Sequence, residues 1–181
     1  MSRISLIEES QHPELTPLIG KIKAERGGRF LNLYRTLAHS PGICEGWLHL
    51  FTEIRQKAKL DDLSRELAIM EVAILNGADY EYKAHVPFAL KAGMTQAQLD
   101  ALPGWQVSDA FPPKMRAVLA YTDAMTQQIK VPQAIFAAAR AQFDEREMVE
   151  LTATVGGYNL VSRFLEAMQM PHETGALEAH D

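Results

Sequence analysis

Residues 64–95 read SRELAIMEVAILNGADYEYKAHVPFALKAGMT, and the reading of this run decides the fold. Its first part, 67–75, is apolar on nearly every side of a helical wheel, with Glu71 the exception. A helix without a polar face must be surrounded by other chain, so it is expected to run through the centre of the protein. Asn76-Gly77 ends it, because both residues accept left-handed backbone and glycine does so with no Cβ to clash. Asp79 is then placed to cap a second helix reaching about Ala92, where Gly93 stops it. Pro87 lies inside that helix and is expected to bend it and free a carbonyl near Lys83. Upstream, Asp61 or Asp62 caps the first helix, with Arg65 and Glu66 in its early turns.

The same pattern continues outward. Phe30, Leu31, Leu33, Tyr34, Leu37 and Ala38 form an apolar stripe at helical spacing. Ser40-Pro41 reads as an N-cap followed by proline at the first helical position. The helix after it carries Ile43, Trp47, Leu48, Leu50, Phe51 and Ile54. Thr95 opens the short helix TQAQLDAL, and the loop PGWQVSDAFPP is rich in turn residues. Beyond it the chain reads as helices at about 113–129, 132–142 and 144–169. No period-two strand pattern occurs, so the fold class is all-α. The organisation expected is an arm over 1–29 packing on the body, a helical domain over 30–170 and a fraying tail over 171–181. Proline and the Gly27-Gly28 pair punctuate the arm. An echo between LDDLSRELAIMEVA and FDEREMVELTATVG admits two related helical halves.

The chain has 181 residues, 47% hydrophobic and 23% charged, which suits one domain with a real core. A net charge of -5 leaves no clustered basic excess for nucleic acid. No apolar run approaches the roughly 20 residues of a membrane span. The start, MSRISLIEES, lacks a long apolar core, so a cytoplasmic location is expected. Cys44 is the single cysteine, which rules out an internal disulfide and a Cys-rich zinc cage. His49 with Glu45 or Glu53 has no further ligand nearby, so no metal site is expected. The glycine pairs at 27–28 and 156–157 lack the surroundings of a phosphate loop.

Candidate chemistry gathers in the quoted run. Glu81 and His85 are four residues apart and so share a helix face. A carboxylate so placed orients an imidazole, fixes its tautomer and raises its basicity. Glu66, early in an otherwise apolar helix, is costly to bury unless paired or solvated, and can meet His85 in a cleft between the two helices. Tyr80 or Tyr82 adds a phenol donor. From spacing alone the structural reading is the stronger: a solvated face for Asp79, Glu81 and Lys83, and a first-turn Glu66 paired with Arg65. Arg35 and His39 read first as a surface pair. Arg163 interrupts the last apolar helix and reads first as a buried partner for a carboxylate, with Glu71 the nearest guess; binding an acidic substrate is its other reading. Cys44 sits in a first helical turn, where amide dipoles lower a thiol pKa, although burial as a small apolar group is the commoner fate. Trp47 and Trp105 read as core or interface aromatics.

The quoted run together with FDEREMVELTATVGGYNLVSRFLEAM, 143–168, resembles the carboxymuconolactone decarboxylase family within the alkylhydroperoxidase D-like superfamily. The resemblance spans roughly 30–170 and implies an all-helical, commonly oligomeric protein. The superfamily's peroxidase branch places a Cys-x-x-Cys pair at the start of the second helix, with a His four residues on and a Glu in the helix before. His85 and Glu66 match that pattern, while the two thiol positions fall on Ala78 and Glu81. Thiol–disulfide exchange needs both sulfurs, so a peroxiredoxin activity could run here only through Cys44. The decarboxylase branch is implied to act without metal or organic cofactor on small unsaturated lactone acids. In that scheme His85 moves the proton, Glu66 or Glu81 orients or stabilises it, and Tyr80 donates. Arg35 or Arg163 holds the substrate carboxylate. The expectation is therefore a cofactor-free lyase or isomerase working as a homo-oligomer. The alternatives are a Cys44-dependent antioxidant enzyme and a non-catalytic oligomeric ligand-binding module.

Overall fold

The computed structural model describes residues 2–173, and all regular elements among them are helical. In chain order the α-helices are α1 (Thr16–Glu25), α2 (Asn32–Leu37), α3 (Pro41–Thr52), α4 (Asp62–Asn76), α5 (Asp79–Lys91), α6 (Gln96–Ala101), α7 (Pro113–Asp123), α8 (Gln133–Arg140) and α9 (Glu145–Met168). Two helices relax into a π turn at their ends: Glu53–Lys57 follows α3 and Ala124–Gln128 follows α7. The tail expected at 171–181 lies outside the described residues from position 174 on.

The chain groups into two compact units, one of residues up to Lys57 together with those from Leu165 on, the other Ala58–Phe164. Parts of both span the 30–170 domain proposed from the sequence. In the first unit Ile7, Leu15, Ile19 and Ala38 form a buried cluster against Phe30. The chain's two ends are tied within it: the Arg3 amide donates to the Met168 carbonyl at 3.1 Å.

The second unit is organised by α4, which packs against α5 and α7. Leu67, Ala68, Ile69, Met70 and Val72 have no exposed surface, as the wholly apolar wheel requires. Each large side chain buried this way contributes about 1.5–3 kcal/mol. Asp61 is the N-cap of α4; its Oδ1 accepts the Ser64 amide at 2.9 Å. Gly77 closes the other end at φ 63°, with the Ala78 amide donating to Ala73 and the Gly77 amide to Ile74. That pair of bonds is the Schellman arrangement a left-handed glycine permits.

One local expectation is corrected. Ala78, not Asp79, occupies the cap position of α5, and Asp79 is the first helical residue, where its charge still complements the helix dipole. The two-residue Gly77-Ala78 link is too short to leave Asp79 outside the helix. Thr95 does cap α6, in a reciprocal capping box with Gln98.

Candidate functional site

The short link between α4 and α5 folds the two helices back on one another. It brings the first turn of α4 beside the middle of α5. There His85 Nδ1 donates to Glu66 Oε2 at 2.7 Å. Both are buried, with Glu66 2% and His85 7% exposed. An acceptor carboxylate at Nδ1 fixes the tautomer: Nδ1 carries the hydrogen, and the Nε2 lone pair of the neutral ring is left to take a proton.

Glu66 is held from its other side. Arg65 Nε donates to Glu66 Oε1 at 3.3 Å, and Arg65 Nη1 donates to Asp62 Oδ1 at 2.8 Å. A line of alternating charge thus runs along the first turn of α4 into the imidazole, from Asp62 in water to His85 indoors. Burial of a carboxylate demands such partners, since leaving it without them costs several kcal/mol. The ring of His85 is walled by aromatics. Tyr158 of α9 meets it edge to face at 5.1 Å between centroids, and Phe88 lies tilted at 5.7 Å.

Glu81 is buried to 1% exposure, one turn before His85, and Tyr80 is half-buried beside it. Glu81 therefore does not belong to a solvated face. Of the residues singled out from the sequence, Glu66, Glu81, Tyr80 and His85 gather at the α4–α5 pair.

The two arginines stand apart from this group in what they bind. Arg35, in the other unit, has all three guanidinium nitrogens engaged: Nε donates to the Ile7 carbonyl at 3.0 Å, Nη1 to Asn32 Oδ1 at 3.2 Å, and Nη2 to Glu8. Arg163 is exposed, not buried, and its Nη1 turns back along α9 to the Asn159 carbonyl and side chain. It does not pair with Glu71. Glu71 faces α7 instead, where its carboxyl meets that of Asp123; Asp123 Oδ2 also accepts the Trp105 indole at 3.3 Å and the Gln106 amide at 3.1 Å. Burial, then the hydrogen bond and charge of Asp123, push the Glu71 acid up to about 9. Sequence spacing gave no sign of this pair, because its members lie far apart in the chain and carry like charge.

Cys44 has no exposed surface, and burial pushes its thiol up to about 11. Neither condition for a thiolate nucleophile, exposure or a depressed pKa, is met. Among the described residues no three His, Cys, Asp or Glu side chains gather closely enough to hold a metal, and no helix is long and apolar enough to cross a membrane.

Residues 41–124 match the model of the carboxymuconolactone decarboxylase family. The Escherichia coli protein YnjA, itself uncharacterized, is 29% identical over 128 residues, covering 70% of this chain and 67% of its own. The alkylhydroperoxidase AhpD core of an uncharacterized peroxidase-related protein from Ralstonia eutropha JMP134 superposes with a TM-score of 0.79 at 20% identity, over 95% of this chain and 92% of that one. The apo debrominase Bmp8 superposes with a TM-score of 0.74 at 21% identity, over 96% and 94%. At such identities the structural likeness establishes the AhpD-like all-α fold and nothing about substrate.

Proposed function

We propose, for a chain whose residues 41–124 match the model of the carboxymuconolactone decarboxylase family, that it is an acid–base enzyme working through the Glu66–His85 pair. Family membership supports an enzymatic or antioxidant-related role in general terms. The finer reading is a lyase or isomerase acting on a small organic acid of the unsaturated lactone type. The observation that carries it is the buried 2.7 Å bond from His85 Nδ1 to Glu66 Oε2. That bond leaves Nε2 as the base and places a negative charge behind the imidazolium that forms when it works.

In the isomerase form, Nε2 removes a proton from the carbon next to the lactone carbonyl. The electron pair enters the carbonyl as an enolate, and the imidazolium returns the proton to another carbon of the conjugated system. In the lyase form the bond to the substrate carboxylate breaks and carbon dioxide leaves. The pair is delocalised into the same carbonyl, and His85, which enters this form carrying a proton taken from solvent at Nε2, protonates carbon. Neither form calls for a metal or organic cofactor. Glu81 is the second carboxylate of the site and Tyr80 its phenol donor.

For the substrate carboxylate, Arg65 is better placed than Arg35 or Arg163. Its Nε and Nη1 are spent on Glu66 and Asp62, while Nη2 makes no hydrogen bond to the described residues. It also touches the carboxylate that holds His85, so the guanidinium and the imidazole are set against the same Glu66 side chain. We expect the working form to be a homo-oligomer, in keeping with the family.

The test is a panel of lactone acids and β-keto acids offered to the wild type and to His85→Ala. Turnover by the wild type that falls by about 10²–10⁴ in the variant is the expected result. Turnover that survives His85→Ala unchanged removes the acid–base role.

A further inference from the structure

Arg26, at the end of α1, is a buried cation without a counter-ion among the described residues. It is 8% exposed, and no carboxylate among the described residues lies within ion-pair reach of it. Its Nε donates to the Tyr34 hydroxyl at 2.9 Å, and its Nη1 to the Glu25 carbonyl at 2.8 Å and Thr52 Oγ1 at 3.2 Å. The guanidinium carbon stands 5.3 Å from the Tyr34 ring centroid. Nη2 is buried and makes no hydrogen bond to any described residue.

The neutral features around it balance only part of the charge. The C-terminal carbonyls of α1 carry about half a negative charge, and the Tyr34 ring offers a weak electrostatic face. A buried guanidinium nitrogen left with no acceptor is destabilising by more than either recovers.

The surroundings hold donors in excess. Tyr34 is 2% and Thr52 5% exposed, and each hydroxyl oxygen already accepts from Arg26. Each hydroxyl hydrogen therefore points away from the guanidinium, and neither finds an acceptor among the described residues. Burial drives the Tyr34 phenol up despite the opposing charges of Arg26 and Arg55, so it keeps its proton. The two hydrogens of Nη2 and one on each hydroxyl are thus offered with no acceptor among the described residues.

We propose that Arg26, Tyr34 and Thr52 form a binding site for a small monovalent anion, an organic carboxylate or a halide. One positive charge calls for one negative charge. With Nε and Nη1 already engaged, only Nη2 and the hydroxyls remain, which fits end-on contact by a compact acceptor and not the forked grip given to larger oxyanions. Nη2 is shut off from solvent, and the adjoining link after α1 turns through Gly27 and Gly28 at φ of 61° and 77°. The site lies in the first unit and is independent of the acid–base reading of His85.

The test is thermal unfolding of the full chain at fixed ionic strength, with sodium isethionate, a sulfonate, replaced stepwise by sodium chloride, sodium acetate or sodium benzoate. A saturable rise in Tm of a few degrees is expected in at least one series. A rise with chloride alone assigns a halide site, and one with acetate or benzoate a carboxylate site. Arg26→Gln should abolish the rise, while Arg146→Gln, at an exposed position, should leave it intact. If Arg26→Gln does not fold, Tyr34→Phe replaces it and should raise the half-saturating concentration about tenfold, the worth of one charge-assisted hydrogen bond. No saturable rise in the wild type, or one that Arg26→Gln or Tyr34→Phe leaves unchanged, overturns the proposal.

Discussion

His85 Nδ1 and Glu66 Oε2 meet at 2.7 Å although 19 residues separate them in the chain. The contact is made by a turn, since Gly77 at φ 63° reverses the direction between the helices that carry them. The acid side of the pair is the more informative to change. Glu66→Gln keeps the shape and the acceptor oxygen but removes the charge behind the imidazolium. On a substrate the wild type converts, kcat should fall by about 10²-fold or more while the far-ultraviolet circular dichroism stays native. An equal kcat in Glu66→Gln would mean the carboxylate is structural.

Glu71 makes stability depend on pH with a sign opposite to that of an ordinary ion-paired carboxylate. Its acid is held up to about 9 in the folded chain, by burial first and by Asp123 second, against an ordinary value near 4.5. Below about 4.5 both folded and unfolded chains hold the proton and its contribution is fully present. Between about 4.5 and 9 the unfolded chain releases the proton while the folded one retains it, so stability falls with rising pH by up to about 1.4 kcal/mol per unit from this group. Glu71→Gln keeps a donor for Asp123 and needs no proton. It should flatten that slope and stabilise the protein at pH 8 by about 1–3 kcal/mol. Urea midpoints at pH 5, 6.5 and 8 for both proteins measure it; a slope the same in both would show that Glu71 is ionised in the fold.

Local signals in the sequence carried the helix order a long way, and their limits are physical. The apolar wheel of α4, the Asn76-Gly77 break and the Thr95 cap each act within one or two turns, and each is found where it was expected. Glu66 and His85 were legible as candidates because both sit in one helix–break–helix unit. What spacing could not reveal were pairings between distant segments. Asp123 against Glu71 opposes two like charges, and Arg26 under Tyr34 and Thr52 has no charged partner among the described residues, so no rule of complementary charge points to either. Arg163 misled for the reverse reason. It sits among apolar neighbours in sequence, yet it lies on the exposed side of α9 and folds back to Asn159.

The α4–α5 turn gives a direct test of the backbone that builds the site. Gly77 has open space around the position a Cβ would take, so substitution there is opposed by φ alone. Gly77→Ala should destabilise by about 1 kcal/mol, and Gly77→Val by more, because a branched side chain tolerates left-handed backbone least. Gly77→Asn should lie between wild type and alanine. The ranking can be read from Tm values of the four proteins. If alanine proved neutral, the turn would not need its left-handed residue.

Cys44 separates the antioxidant alternative from the acid–base reading. The thiol lies wholly inside the first unit and is raised to about 11, first by burial and then by the charge of Glu45. At pH 8 only about one thiol in a thousand would then be ionised even if reagent could reach it. Reaction with iodoacetamide at pH 8 should be about 100-fold or more slower in the native protein than in guanidinium chloride. A Cys44→Ala variant should lose about 1–2 kcal/mol of stability from the small void it leaves and no activity of any kind. Rapid native alkylation of Cys44, joined with consumption of an organic hydroperoxide that Cys44→Ala abolishes, would return the chemistry to sulfur and demote Glu66–His85 to a packing contact.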